Sequence, residues 1–134
     1  MQISGYQIEQ RLHQSDRSVI YQAQSDTDYQ TVIIKSPSSD HPLRSQQTRL
    51  KHEYEVLRLL NGEGCLHAYG LEEWKNSFLL IMEDFQGQPL SRLIPSQGLP
   101  LGHFLTLAVE VTDCVNKLHS KGLIHKDINP NHIL

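Results

Sequence analysis

The sequence has few cysteines and no long apolar run. Cys65 and Cys114 are its two cysteines in 134 residues, and they form no CxxC pair. Neither a disulfide framework nor a cysteine zinc site is therefore expected, and both are interpreted as small buried apolar residues. No apolar stretch approaches the roughly 18 to 20 residues that span a bilayer, and the first residues lack the pattern of a secretory signal. The sequence predicts a cytoplasmic protein that does not bind membranes.

An excess of charge of one sign is also absent. Lys and Arg number 12 and Asp and Glu number 15, which gives a formal net charge of −3 at pH 7. Without a basic stripe, a nucleic acid is not expected as the main partner. His119, His125 and His132 recur at intervals that match neither one helix face nor a known zinc pattern, so a histidine metal centre is not expected either.

The hydrophobic pattern of the first half predicts a small sheet with one helix. Strands are predicted over residues 6–12, 19–24, 29–35, 65–72 and 77–82, the first three as an antiparallel meander. Residues 36–42 are rich in Ser, Pro and Asp and are predicted to form a loop. A helix is predicted from about residue 45 to residue 60, ending at Asn61-Gly62.

The second half is predicted to be helical. A short helical turn is expected around residues 89–94, and a long helix over Leu101–Ser120. The long helix has apolar residues at three-and-four spacing: Phe104, Leu107, Ala108, Val111, Cys114, Val115 and Leu118. Because nothing further in the chain would cover this face, we expect a protein substrate or docking partner there, or self-association.

Residues 125–134, with the sequence HKDINPNHIL, resemble the catalytic loop H-R-D-L-x-x-x-N of a protein kinase. In this resemblance Asp127 takes the position of the base that accepts the proton of the substrate hydroxyl. Asn129 stands where serine/threonine kinases often have a lysine that contacts the transferred phosphate, and it is included among the catalytic residues. His132 occupies the position of a magnesium-binding asparagine. Imidazole is a poorer magnesium ligand than oxygen, so the metal ligands are left unassigned.

The resemblance continues upstream in the same order as in a kinase domain. Residues 32–35, VIIK, resemble the strand whose terminal lysine grips the α- and β-phosphates of ATP, which makes Lys35 a catalytic and nucleotide-binding candidate. Its expected partner is Glu53 of the following helix. Glu53 is preferred to Glu55 because it shares a helix face with the apolar residues that would pack on the sheet, whereas Glu55 points away.

The implied nucleotide site combines apolar residues, the pair of Lys35 with Glu53, and a hinge. Residues 83–87, EDFQG, resemble the hinge that hydrogen-bonds adenine, and Met82 would be the gatekeeper. The implied nucleotide-binding residues are Leu12, Ile20, Ile33, Lys35, Glu53, Met82, Glu83 and Phe85. Aligning residues 20–23 with the V-Y-x-A end of the glycine-rich loop places His13, Ser15 and Ser18 at its three glycine positions. Because glycine lets backbone N–H groups approach phosphates closely, weakened nucleotide binding is expected.

The chain as a whole resembles the N-terminal portion of a eukaryotic-like serine/threonine protein kinase domain, similar to the kinase modules of large bacterial multi-sensor kinases. The implied fold is α+β: a kinase-like small lobe of five antiparallel strands and one helix at 1–82, a hinge at 83–87, and the first helices of the large lobe at 88–134, truncated at the catalytic loop. The implied cofactors are ATP and magnesium.

The implied function is ATP-dependent phosphoryl transfer to Ser or Thr by the intact parent protein. No turnover is expected from these residues alone, because the D-F-G segment of kinases is not among them. Two alternatives remain open. One is a pseudokinase that acts as a binding module, and the other is a small-molecule phosphotransferase of the same fold, similar to aminoglycoside and choline kinases.

Overall fold

The computed structural model describes residues 3–39 and 42–134, which divide into two compact units. The first unit takes in the chain up to Gly62 together with Leu66–Asp84, and the second comprises Glu63–Cys65 and Phe85–Leu134. The chain therefore passes from one unit to the other for the last time between Asp84 and Phe85, inside the segment predicted to be a hinge.

The first unit is a five-stranded antiparallel sheet with one helix. Its strands are β1 (Tyr6–Gln14), β2 (Ser18–Ser25), β3 (Thr31–Pro37), β4 (Ala68–Trp74) and β5 (Ser77–Glu83), and helix α1 (Arg44–Leu60) lies between β3 and β4 in the chain. The order across the sheet is β1-β2-β3-β5-β4. The first three strands form the predicted meander, and β5 is then inserted between β3 and β4.

The sequence placed the end of β3 and the start of β4 wrongly. Ser36 and Pro37 were expected in a loop, but they continue β3, where they pair with Val19 and Ser18 of β2. Ser36 is buried because it continues the alternation of the strand. Proline is tolerated at a strand end, where no ladder donor is needed. β4 begins at Ala68 instead of residue 65, and within the predicted loop, Asp40 and His41 lie outside the described residues.

The sheet buries an apolar cluster on each face. One cluster contains Ile3, Ala23, Val32, Ile34, Leu79 and Ile81, and the other, on the side of α1, contains Leu50, Ala68, Leu80 and Met82. β5 contributes to both because successive residues of a strand point to opposite faces. A continuous apolar run at β5 is therefore what a strand covered on both sides requires.

The edges of the sheet are joined by a tyrosine. The hydroxyl of Tyr6 in β1 donates to a carboxylate oxygen of Glu72 in β4 at 2.7 Å, although β1 and β4 are the two edge strands. Burial, followed by the hydrogen bond to the Glu72 carboxylate, raises the pKa of Tyr6 well above its ordinary value. The phenol therefore stays protonated and keeps its donor role at any physiological pH.

Helix α1 ends where the sequence predicts. Asn61 adopts the left-handed conformation with φ of 50°, and its backbone N–H donates to the carbonyl of Leu57. Asparagine is one of the few residues other than glycine that accept this conformation readily. Leu50 and Leu60 are the buried residues of the helix, and Tyr54 and Leu57 pack against the cluster around Leu80.

The second unit contains helices α2 (Leu90–Leu93) and α3 (Leu101–Ser120) and the carboxyl-terminal residues. The backbone N–H groups of Leu90 and Ser91 donate to the carbonyls of Ile133 and Pro130 at 2.8 and 2.9 Å, which fixes α2 to the end of the chain. The Glu63–Cys65 loop belongs to this unit. Its Glu63 lies 3.3 Å from the Nζ atom of Lys121, just after α3.

Helix α3 has the predicted bounds, but its most exposed apolar residues are not the expected ones. Of the predicted face, Phe104 is 53% exposed, while Leu107, Val111 and Leu118 are half-buried. A second stripe at four-residue spacing is at least as exposed as Phe104: Leu101 at 72%, Leu105 at 53% and Val109 at 62%. Among the described residues, no helix combines the length and apolar character needed to cross a lipid bilayer.

We predict that Gly64→Ala lowers the free energy of unfolding by about 1 to 3 kcal/mol. Gly64 has φ of +74°, and a Cβ atom there would lie 3.1 Å from the Cα and Cβ atoms of Cys114 in α3. The substitution thus adds a steric contact to backbone strain. Urea denaturation followed by circular dichroism measures the loss.

Gly98→Ala is the matched control for the Gly64 substitution. Gly98 also has a positive φ, +84°, but a Cβ atom there would meet nothing within 4 Å. Its replacement should therefore show only the backbone part of the loss, about 1 kcal/mol. Equal losses in the two variants would show that the contact with α3 contributes nothing.

Candidate functional site

The first unit contains an ion pair between Lys35 and Glu53. Lys35 lies on β3, paired across the sheet with Ile20 of β2 and Leu80 of β5. Its Nζ atom donates to both carboxylate oxygens of Glu53, at 2.7 and 2.8 Å. The pairing chosen from the helix register is therefore present, and Glu55 is exposed.

This ion pair orients an ammonium group that retains hydrogen-bonding capacity. Lys35 and Glu53 side chains are 23% and 37% exposed, so the pair is accessible without being fully solvated. A lysine ammonium has three N–H donors, of which Glu53 accepts two. The third donor and the positive charge fit an anionic oxygen such as that of a phosphate.

The other predicted nucleotide-binding residues of the first unit lie on four different strands. Ile33 of β3 pairs directly with Met82 of β5, and both belong to the apolar cluster on the α1 side. Ile20 is half-buried on β2, and Leu12 on β1 is 42% exposed. Ile33 and Met82 thus have a packing role in the core whatever else they contact.

Glu83, predicted to lie in the hinge, is the last residue of β5 and is held by His67, the residue before β4. Its carboxylate accepts a hydrogen bond from the backbone N–H of His67 at 2.7 Å, and its own N–H donates to the His67 carbonyl at 2.9 Å. The next residue, Asp84, accepts from the side-chain amide of Gln22 in β2. Sequence patterns gave no signal for these contacts, because they join residues distant in the chain.

The turn between β1 and β2 is closed by the side chain of Ser15. The backbone N–H groups of Arg17 and Ser18 donate to its Oγ atom at 3.3 and 3.2 Å, and its own N–H donates to the Ser18 carbonyl at 2.9 Å. Ser38, the residue after β3, also holds the turn, with its Oγ donating to the Asp16 carbonyl at 2.6 Å. The N–H groups of Ser15, Arg17 and Ser18 are therefore already bonded within the protein and are not offered to a phosphate as in a glycine-rich loop.

In the second unit, the predicted loop residues Asp127, Asn129 and His132 lie together. The side-chain amide of Asn129 donates to the Asp127 carboxylate at 3.2 Å. The Nδ1 atom of His132 lies 2.9 Å from the backbone carbonyl of Asp127 and 3.4 Å from its carboxylate. The Asp127 side chain is 72% exposed, so one of its faces remains open to solvent.

This cluster orients a carboxylate, but it does not fit a magnesium ion. Magnesium prefers an octahedral set of oxygen ligands, and Asp127 is the one carboxylate among the three side chains. The Nδ1 atom of His132 is within hydrogen-bonding distance of the Asp127 carbonyl and of the Asn129 amide. In the described parts of the chain, no three His, Cys, Asp or Glu side chains gather in a way that could hold a metal.

Comparison with known sequences identifies the family. The protein kinase domain profile matches residues 6–134, and the chain therefore belongs to the protein kinase domain family. This confirms the kinase resemblance, and the five-stranded sheet with its helices agrees with a kinase small lobe and the start of a large lobe.

Three curated relatives are named as serine/threonine kinases. The chain is 26% identical over 133 residues to "Probable serine/threonine-protein kinase glkA" of Dictyostelium discoideum, covering 96% of this chain and 26% of that protein. It is 31% identical over 93 residues to human serine/threonine-protein kinase ULK1, covering 69% and 9%. With serine/threonine-protein kinase TIO of Arabidopsis thaliana it shares 25% identity over 138 residues, covering 100% and 10%. The chain thus spans about a quarter or less of these relatives.

We predict that Glu53→Gln lowers the free energy of unfolding by about 0.5 to 1 kcal/mol, because it removes the charge that Lys35 faces in a partly solvated pair. Glu55→Gln, an exposed change two residues away, should stay within about 0.5 kcal/mol of the wild type. Urea denaturation of both variants, repeated in a Lys35→Met background, measures how much the interaction between Lys35 and Glu53 contributes to the free energy of unfolding. An undiminished Glu53→Gln loss in that background would refute an energetic role for the pair.

Proposed function

We propose that the protein containing this chain transfers the γ-phosphate of ATP to a Ser or Thr hydroxyl. The ion pair of Lys35 with both carboxylate oxygens of Glu53 carries this proposal, because it presents an oriented ammonium in a member of the protein kinase domain family. The proposal includes ATP as the phosphate donor and proteins as the substrates. It also includes a cytoplasmic location, where ATP is available.

In this function Lys35 binds phosphate oxygens of ATP with the donor that Glu53 leaves unused. Glu53 limits the rotamers of the lysine, which reduces the entropy lost when a phosphate is bound. Leu12, Ile20, Ile33 and Met82 supply apolar contacts for adenine, and the backbone of Glu83 and Phe85 supplies its hydrogen bonds. Each assignment rests on the position of the residue in the kinase pattern.

Asp127 accepts the proton of the substrate hydroxyl as that oxygen attacks phosphorus. Its exposed carboxylate is oriented by the Asn129 amide, and His132 contacts its backbone carbonyl. His132 thereby holds the loop from the position where the kinase pattern has asparagine. Because the residues present do not fit magnesium, no step of this mechanism is assigned to that ion.

A binding module without turnover is the second candidate, and two observations favour it. The turn closed by Ser15 has its N–H groups occupied, and His132 replaces an oxygen ligand by an imidazole. The first change weakens phosphate binding and the second weakens metal binding. Turnover needs both, whereas the fold needs neither. No observation favours a small-molecule phosphotransferase, and the relatives described above are named as serine/threonine kinases.

We predict that ATP raises the melting temperature of this chain by a few degrees at saturation and that Lys35→Met removes the rise. Lys117→Met, which removes an exposed lysine of α3, is the charge-matched control and should keep the rise. Differential scanning fluorimetry with increasing ATP measures the effect. A wild-type chain that shows no rise would favour the binding module, and a rise that survives in Lys35→Met would refute the role of that lysine.

We predict that Ser15→Ala increases the ATP-dependent rise, because loss of the Oγ atom frees the N–H groups of Arg17 and Ser18 for phosphate oxygens. Without ATP the variant should melt lower than the wild type, since the turn loses its internal acceptor. Ser96→Ala, in an exposed segment of the second unit, is the control. An unchanged or smaller ATP effect in Ser15→Ala would show that the turn does not face the nucleotide.

A further inference from the structure

The two cysteines, distant in the sequence, lie close together in the second unit. A Cβ atom built on Gly64 would be 3.1 Å from the Cα atom of Cys114 and 3.2 Å from its Sγ atom, and Cys65 is the next residue after Gly64. One Cα–Cα step of about 3.8 Å and one Cα–Cβ bond, added to that contact, keep the Cα atoms of the two cysteines within about 8.4 Å. The fold thus brings the backbone positions of two cysteines close together, although they lie far apart in the sequence.

The upper limit of about 8.4 Å lies above the range of a disulfide, whose Cα atoms are usually about 4.4 to 6.8 Å apart. Even at the upper limit, a loop movement of about 2 Å would bring the cysteines into range. The Glu63–Cys65 loop is held beside the end of α3 by the ion pair between Glu63 and Lys121 at 3.3 Å. Both cysteines are half-buried residues outside any disulfide.

We propose that Cys65 and Cys114 are a redox modification site that closes to an intramolecular disulfide when the protein meets a peroxide. One thiolate attacks hydrogen peroxide, which gives a sulfenic acid and releases hydroxide. The second thiol then displaces water from the sulfenic sulfur and forms the S–S bond. The two thiols lose two electrons, which reduce one peroxide to two molecules of water, and a dithiol reverses the bond by exchange.

The crosslink joins the loop that follows α1 to the middle of α3. The Glu63–Cys65 loop begins two residues after Asn61, the cap of the helix that carries Glu53. Oxidation would therefore fix this loop to α3 within the second unit. The proposal requires only the two thiols and the loop, so it stands or falls independently of phosphoryl transfer.

Peptide mapping of the full chain tests the proposal. The chain is treated with hydrogen peroxide at low protein concentration, blocked with N-ethylmaleimide and digested with trypsin without reductant. We expect peptide 59–75 linked to peptide 93–117, with a mass two hydrogens below their sum, and we expect dithiothreitol to separate them. Cys65→Ser and Cys114→Ser should each abolish the linked peptide.

A melting measurement distinguishes a bond within one chain from other oxidation. The intramolecular bond restricts the unfolded chain, so peroxide should raise the melting temperature of the wild type by roughly 5 °C or more, and neither serine variant should respond. Disulfide dimers on a non-reducing gel, with no linked peptide from the monomer, would overturn the proposal. So would maleimide or sulfinic acid on both cysteines after peroxide treatment.

Discussion

The burial of β5 on both of its faces holds the first unit together. Leu79 and Ile81 enter the cluster on one face and Leu80 and Met82 the cluster on the other, so one strand anchors both halves of the core. Each such side chain contributes about 1.5 to 3 kcal/mol of burial. β3 is aligned by its pairing with β5, and α1 packs on the Leu80 side, so the position of every residue in the candidate site of this unit depends on that strand.

The ion pair follows directly from this arrangement. Alternation along β3 sends Val32, Ile34 and Ser36 to one face, which leaves Ile33 and Lys35 on the face that carries α1. A lysine that follows an apolar run within a strand would ordinarily extend into solvent. Here α1 places the Glu53 carboxylate next to it. The two-residue repeat of the strand and the 3.6-residue repeat of the helix therefore bring one pair of charged groups together.

Sequence reasoning succeeded where a local periodicity determines structure. It predicted the bounds of α3, the end of α1 at Asn61 and the choice of Glu53 over Glu55, because each depends on spacing within one element. It failed for Ser36 and Pro37, whose strand structure requires a partner in β2, and for Cys65 and Cys114, which were interpreted as buried but are half-buried. The hydrogen bonds of Ser15 and Glu83 were equally out of reach, since they join groups whose proximity is created by folding.

The turn closed by Ser15 also has a consequence for how a ligand could be sensed. A glycine-rich loop is flexible before a ligand binds and loses conformational entropy when a bound phosphate orders it. Ligand binding is therefore coupled to a change in the mobility of the loop. In this protein the turn is already ordered by Ser15 and Ser38 during folding. A ligand at this hairpin would therefore lose less conformational entropy to ordering than it would at a glycine-rich loop, and its occupancy would change the mobility of the hairpin less.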